Sequence, residues 1–212
     1  MHGQEPSPAP PIEIAADRIR LPMQFDPARM AEDLAALPPE GWIAHYVAQN
    51  YLGEWSVLPL YCPAGAQHPV LMAYANPTAT DFEPTPWLAH APYLRGVLDR
   101  FHCPLRSVRL MRLGPDSRIL PHRDFDLSAE SGTARLHIPI TGNEAVTFLL
   151  NGTPVEMEPG STWYLRLADE HAVINAGRTE RIHLVIDCLV NDWLLGQLRS
   201  GKAPVSDGAA RH

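Results

Sequence analysis

From residue 105 onward the chain passes through short runs rich in β-branched and aromatic residues, at 107–113, 134–141, 145–150, 162–167, 171–176 and 181–190. Turn-forming residues separate them: Gly114-Pro115-Asp116, Thr141-Gly142-Asn143, Asn151-Gly152 and Pro159-Gly160. Short strands spaced this closely bury their apolar faces by stacking as a sandwich or closing as a barrel. Asn151-Gly152 is the sharpest turn signal, because both residue types tolerate the positive φ that a two-residue hairpin demands. A mostly β domain is therefore predicted.

Side chains two apart on a strand share a face. Along 181–190, Arg181, His183, Val185 and Asp187 alternate with Ile182, Leu184 and Ile186, and along 134–141 Arg135 and His137 alternate with Leu136, Ile138 and Ile140. Each strand thus directs polar groups one way and aliphatic groups the other. With helices over the aliphatic face, the polar face becomes the interior, where an unpartnered charge is costly. A metal ion and an anion held inside would satisfy several of these groups together.

Upstream, Pro121-His122-Arg123-Asp124 sets His122 and Asp124 two apart, and the same parity predicts that they point together with Arg123 turned outward. His171 completes an H-x-D…H pattern. Two imidazoles and a carboxylate on one octahedral face suit Fe(II) and leave three positions open. H-x-D triplets also arise by chance, and the three residues are then ordinary polar groups; the β-rich segment that follows, with His171 and then Arg181, favours the metal. A guanidinium is a planar fork suited to a carboxylate, so Arg181 reads as an inward anion anchor, although strand arginines also lie on solvated faces or pair with acids. Arg135 and His137 can take a second anionic group, or one of them can satisfy Asp187 or another core acid. His183 is assigned to core hydrogen bonding over ligation.

The rest of the chain supports this segment. Asp26 and Pro27 open a helix with Met30, Leu34 and Leu37 on one face, which Pro38-Pro39 stop. Strands are expected at 42–47 and 55–60, a long surface loop at 62–90, a second helix at 92–102 with Leu94, Val97, Leu98 and Phe101 as its apolar stripe, and a closing helix at 191–199. The 62–90 loop is a candidate lid, with Trp87 either covering a pocket or buried for packing. Proline-rich 1–12 and Gly/Ala/Ser-rich 200–212 read as flexible arms around one domain at 13–199, in which 13–104 supports and covers a β-barrel at 105–199.

The 212 residues carry a net charge of −7 and no lysine or arginine run, so the electrostatic footprint of a nucleic-acid binder is missing. No apolar run reaches membrane-span length, and the polar start of the chain lacks the order of a secretory signal, so the cytoplasm is expected. Cys62, Cys103 and Cys188 are odd in number and widely spaced, which points to reduced thiols rather than a disulfide framework or a cysteine zinc site.

LPHRDFD (120–126), RLHIPITGN (135–143), VTFLLNG (146–152), MEPGSTWYLR (157–166), HAVINAG (171–177) and RIHLVIDCLVNDWL (181–194) together resemble the aspartyl/asparaginyl β-hydroxylase-like family of Fe(II)/2-oxoglutarate oxygenases, which includes bacterial proline cis-hydroxylase-like members. The resemblance spans roughly 108–193. It implies a double-stranded β-helix, the jelly-roll or cupin-like barrel, with flanking helices. The implied activity is O₂-dependent hydroxylation of an amino acid, free or in a peptide, with decarboxylation of 2-oxoglutarate to succinate. His122, Asp124 and His171 are the implied iron ligands, Arg181 the anchor of the distal carboxylate of 2-oxoglutarate, and Arg135 and His137 the pair near its other end and the substrate. The animal members lack the carboxylate ligand, so Asp124 aligns this chain with bacterial members. They also carry an arginine where this chain has Thr133, so recognition of an acidic side chain is not transferred. Among Arg106, Arg109, Arg112, Arg118 and Arg123, Arg109 is chosen as the contact to a substrate carboxylate, because it sits within a strand. The competing readings are a non-catalytic cupin-like module that binds or senses a metal and a small acid, and a metal enzyme of another kind; the complete triad argues against the first and Arg181 against the second.

Overall fold

The computed structural model describes residues 12–203 apart from 75 and 77, so the expectations for 1–11 and 204–212 lie outside the described residues. Strand β1 (Arg18–Gln24) leads to helix α1 (Pro27–Ala36). Asp26 caps α1 as expected: its carboxylate accepts the Ala28 N–H at 2.9 Å, and Pro27 takes the first helical position. Of the strand expected at 42–47, only β2 (Ile43–Ala44) pairs, because the chain then leaves through a 3-10 turn, and β3 (Tyr51–Leu52) joins a different sheet. Strand β4 (Trp55–Pro63) follows.

The segment 62–90 is structured rather than a bare loop. It contains α2 (Pro69–Ala73), β5 (Phe82–Pro84) and a 3-10 turn at Pro86–His90, elements too short to leave a period in the sequence. Trp87 packs against the hydrophobic core and beside Gly41, away from the cavity described below. Helix α3 (Pro92–Leu98) ends earlier than expected: the Phe101 N–H turns back onto the Leu98 carbonyl, and Pro104 follows. Its predicted stripe of Leu94, Val97, Leu98 and Phe101 is nevertheless buried.

The remaining strands are β6 (Leu105–Leu113), β7 (Ser117–His122), β8 (Thr133–Thr141), β9 (Val146–Leu150), β10 (Thr153–Pro154), β11 (Ser161–Leu165), β12 (His171–Asn175) and β13 (Arg181–Leu189), closed by α4 (Asp192–Ser200). They form two antiparallel sheets. The larger runs β1-β11-β8-β13-β6-β4-β2, with β5 on β4, and the smaller runs β10-β9-β12-β7-β3. From β6 to β13, apart from the β9–β10 hairpin, successive strands alternate between the sheets, as in a double-stranded β-helix. Strands β1 and β4, from the segment expected only to support the barrel, belong to its large sheet. Part of the expected tail is also held: Lys202 pairs its backbone with Arg20 of β1.

Parity along the strands divides the apolar residues into two cores. Leu136, Ile138, Leu184 and Ile186 face outward onto Met30, Leu94 and Leu98 of α1 and α3. Val57, Met111, Phe148, Val173 and Val185 fill the space between the sheets. Each fully buried Leu or Ile contributes about 1.5–3 kcal/mol, so the outer core carries the large sheet's stability and frees part of the inner face for polar groups. Among the described residues no helix is long and apolar enough to cross a membrane.

The Asn151-Gly152 turn joins β9 to β10 with both residues at positive φ, 51° and 71°. Gly160 also has positive φ, 79°, and a Cβ there would collide with the Phe25 carbonyl oxygen. In urea unfolding, Gly152→Ala is expected to cost about 1–2 kcal/mol, the strain of left-handed backbone alone. Gly160→Ala is expected to cost clearly more, because strain and collision add.

Candidate metal centre and anion site

His122 ends β7 and His171 begins β12, and the antiparallel register sets them directly opposite each other. Their ring centroids lie 4.2 Å apart. The Nδ1 of His122 donates to the Leu120 carbonyl at 2.8 Å and that of His171 to the Asp169 carbonyl at 3.0 Å. A carbonyl can only accept, so both Nδ1 atoms carry the proton and both Nε2 lone pairs are left for a metal.

Asp124 lies past the end of β7, not on the strand, so parity along β7 does not place it. A turn does: the Asp124 N–H donates to the Leu167 carbonyl at 2.8 Å, and the Leu127 N–H returns to the Asp124 carbonyl at 2.9 Å. One Asp124 oxygen sits 3.9 Å from His122 Nε2, and one ligand atom from each of the three residues lies within 4.8 Å of the others. Arg123, between the two ligand candidates, is exposed as expected.

A cavity of about 290 Å³ between the sheets opens beside this triad. Deep in its wall, Arg181 is 3% exposed and no carboxylate of the described residues pairs with it. Its Nη2 donates to His183 Nδ1 at 2.8 Å, and its Nε has no partner among the described residues. Burial alone pushes this guanidinium down to about 9, a measure of how strongly the position calls for an anion. His137 is buried nearby with both ring nitrogens unpartnered, held neutral by burial and by Arg181. His183 spends Nδ1 on Arg181, which agrees with a hydrogen-bonding role.

Arg135 and Arg109 differ from Arg181 in being paired. Arg135 grips Asp187 through Nε at 2.6 Å and Nη2 at 2.9 Å and reaches Asp124 through Nη1 at 2.8 Å. Arg109, wholly buried, pairs with the same Asp187 Oδ2 that accepts Arg135 Nη2 and donates to the Ala73 carbonyl of α2 at 3.3 Å. Burial alone would raise the Asp187 carboxyl, but the two guanidinium groups hold it below the usual carboxylate range. Burial likewise pulls Arg135 down, and Asp187 and Asp124 outweigh it.

Of the five arginines considered for a substrate carboxylate, Arg106 and Arg109 line the cavity. Arg118 and Arg123 are exposed, and Arg112 lies over Trp42 and donates to Ser56, away from the cavity. Arg109 Nε and Ser107 Oγ, two residues apart on β6, are both buried without a partner among the described residues. Beside them on the same sheet the cavity lining is aromatic: His45 stacks on Trp55 of β4 with ring centroids 3.5 Å apart. Sequence reasoning missed His45, Trp55 and Ser107. Alternation along 55–60 groups Trp55 with Val57, but only the pairing of β4 with β6 tells which face turns inward.

Three buried imidazoles outside the triad share a titration behaviour. His45 is pushed down to about 3, and His137 and His183 well below 6.5, in each case first by burial. The unfolded chain takes up protons below about 6.5 while the folded chain does not, so stability falls as pH drops through that window, by up to about 1.4 kcal/mol per pH unit for each group. The metal-free protein is therefore expected to melt several degrees lower at pH 5 than at pH 7. A flat melting temperature over that range would show that these imidazoles titrate normally.

A model of the aspartyl/asparaginyl β-hydroxylase family matches residues 28–190. The chain is 27% identical over 186 residues to the L-proline cis-4-hydroxylase of Rhizobium meliloti (strain 1021), covering 87% of this chain and 65% of that protein. It is 26% identical over 171 residues to an L-proline cis-3-hydroxylase of Streptomyces sp, covering 78% and 57%. The chain thus spans somewhat under two thirds of the length of these curated relatives. Among solved structures, a 2OG-Fe(II) oxygenase family oxidoreductase from Burkholderia pseudomallei superposes with a TM-score of 0.55 at 17% identity, covering 82% of this chain and 84% of that one. The viral collagen prolyl hydroxylase of Paramecium Bursaria Chlorella virus-1 gives 0.50 at 11% identity, covering 82% and 98%. These two likenesses concern the fold.

Proposed function

The chain belongs to the aspartyl/asparaginyl β-hydroxylase family, and from that premise we propose that it is an Fe(II)- and 2-oxoglutarate-dependent dioxygenase that hydroxylates an amino acid, free or within a peptide. The observation that carries this reading is the pairing of an H-x-D…H cluster with a buried, unpaired Arg181 in one cavity. A structural metal site would not need the second part. The names of the L-proline hydroxylases point to the same substrate class, and three free, buried cysteines suit a reducing cytoplasm.

His122 and His171 would hold the ion through Nε2, each ring fixed by its backbone carbonyl, with Asp124 as the anionic ligand. Two nitrogens and one carboxylate oxygen fit Fe(II) and leave positions for a co-substrate. When bound, the iron with 2-oxoglutarate supplies the oxidising chemistry, coupled to release of succinate and CO₂. The protein binds and orients. Arg181 offers a two-pronged grip to the distal carboxylate in a dry wall, where a charge-assisted pair is strong. Arg135 and neutral His137 would line the other end of the co-substrate, and His137 has hydrogen-bonding capacity to spare. On β6, Arg109 Nε and Ser107 Oγ present adjacent donors to a substrate carboxylate. The aromatic wall of His45 and Trp55 would exclude water from the reacting face.

An anaerobic titration with Fe(II) and 2-oxoglutarate is expected to develop the visible charge-transfer band of an iron chelate. In air, an amino-acid panel is expected to stimulate succinate release, which a binding or sensing module would not do. Binding of metal without binding of 2-oxoglutarate would sink the proposal. Asp124→Ala should abolish coupled turnover, and wild-type activity in that variant would remove the aspartate from the ligand set. Arg181→Met should weaken 2-oxoglutarate binding about 10- to 100-fold by calorimetry, the loss expected for a charged hydrogen-bonded pair.

A further inference from the structure

Each candidate ligand needs something to aim it. The two histidines have backbone carbonyls behind them, 2.8 and 3.0 Å from Nδ1. Asp124 has no strand beneath it and its side chain is 31% exposed, so its carboxylate must be oriented by another side chain. That side chain is Arg135, whose Nη1 donates to one Asp124 oxygen at 2.8 Å and leaves the other on the side of His122.

Arg135 is itself fixed by Asp187. The register of β13 on β8 puts Asp187 directly opposite Arg135. On its other side, the register of β13 on β6 shifts between Ile186 and Cys188, where β6 carries one extra residue between Val108 and Leu105, and the Asp187 carboxylate lies between Arg109 and Arg135. Two parallel contacts, from Nε at 2.6 Å and Nη2 at 2.9 Å, set the plane of the Arg135 guanidinium and so the direction of its remaining nitrogen.

We propose that Asp187 is a positioning residue of the metal centre: it holds Arg135 in the one orientation that presents the Asp124 carboxylate to the ion. This rests on reading His122, Asp124 and His171 as the metal site. Asp187 touches neither metal nor substrate and acts only through Arg135. Arg109 shares the Asp187 Oδ2 with Arg135 and balances the second buried charge, so the chain Arg109–Asp187–Arg135–Asp124 is neutral as a whole.

The test measures Mn(II) affinity by electron paramagnetic resonance, without 2-oxoglutarate or O₂, beside the thermal midpoint of each variant. Asp187→Glu keeps the charge and displaces the carboxylate by one methylene. The double variant Arg109→Gln/Asp187→Asn keeps the network neutral and removes the ionic grip. Both are expected to bind Mn(II) about tenfold more weakly than wild type, the usual scale for losing a partner that orients a ligand. In the double variant this loss should persist where the thermal midpoint stays near wild type, an outcome that a purely structural role would not give. A folded variant that binds Mn(II) like wild type overturns the proposal. A wild-type crystal structure with Mn(II) gives an answer independent of variant folding: Arg135 should bridge Asp187 and Asp124, and an Asp124 parted from Arg135 overturns it. Wild-type protein that binds no Mn(II) overturns the metal reading itself and this proposal with it.

Discussion

Charge inside a β-barrel persists only where each charge meets another, and here one buried carboxylate does most of that work. Asp187 lies between Arg109 and Arg135, and Arg135 passes the chain of ion pairs on to Asp124. Such a chain does not make the protein more stable than well-packed apolar side chains would, because desolvation cancels most of the attraction, yet removing one member leaves a buried unpaired charge at a cost of about 3–5 kcal/mol. The arrangement is therefore better understood as a means of keeping polar groups fixed in a dry place. Against it Arg181 stands out, equally buried and without any carboxylate. The fold thus neutralises two of its cavity-facing guanidinium groups and leaves the third without a carboxylate among the described residues, which is the ground of the proposed anion site.

The stability that permits this comes from the other face of the same strands. Ile182, Leu184 and Ile186 of β13 and Leu136, Ile138 and Ile140 of β8 pack outward onto helices. The cavity face can then carry Arg181, His183 and Asp187 on β13 and Arg135 and His137 on β8, because the large sheet does not depend on that face alone for its cohesion. The metal candidates lie on the smaller sheet and the turn after it, and Arg181, the proposed anion anchor, on the larger, so the site forms only where the two sheets face each other.

Much of this is legible in the amino-acid sequence. The six runs after residue 105 appear as β6, β8, β9, β11, β12 and β13, with ends shifted by only a few residues, and the Asn151-Gly152 hairpin is present with both φ values positive. What escaped had physical reasons. The strands β1 and β7 lie in stretches broken by arginine or proline, where alternation is hard to see. The elements within 62–90 are three to five residues long, shorter than any period they could display. Asp124 was grouped with His122 by strand parity, but a turn brings it there. Arg109 was chosen because it lies in a strand; it does line the cavity, with most of its guanidinium committed to Asp187 and the Ala73 carbonyl.

The amino-acid sequence by itself determined the β character of the second half, the two-faced strands and the chemical types gathered on the polar face, because turn residues and alternation are local and survive without knowledge of the fold. Only the tertiary structure decided which groups meet. The opposition of His122 to His171 depends on the register of β7 and β12, strands separated in the chain by four others. Whether an arginine is paired or free depends on the register of β13 with β6 and β8, where the partner strands carry the extra residues, and on the neighbour across the sheet. Register and bulges are set by long-range backbone pairing, which no short stretch of sequence encodes. Hence Arg135, Arg109 and Arg181, alike as residues, part into one that orients a ligand candidate, one that balances a buried charge, and one that still lacks an anion.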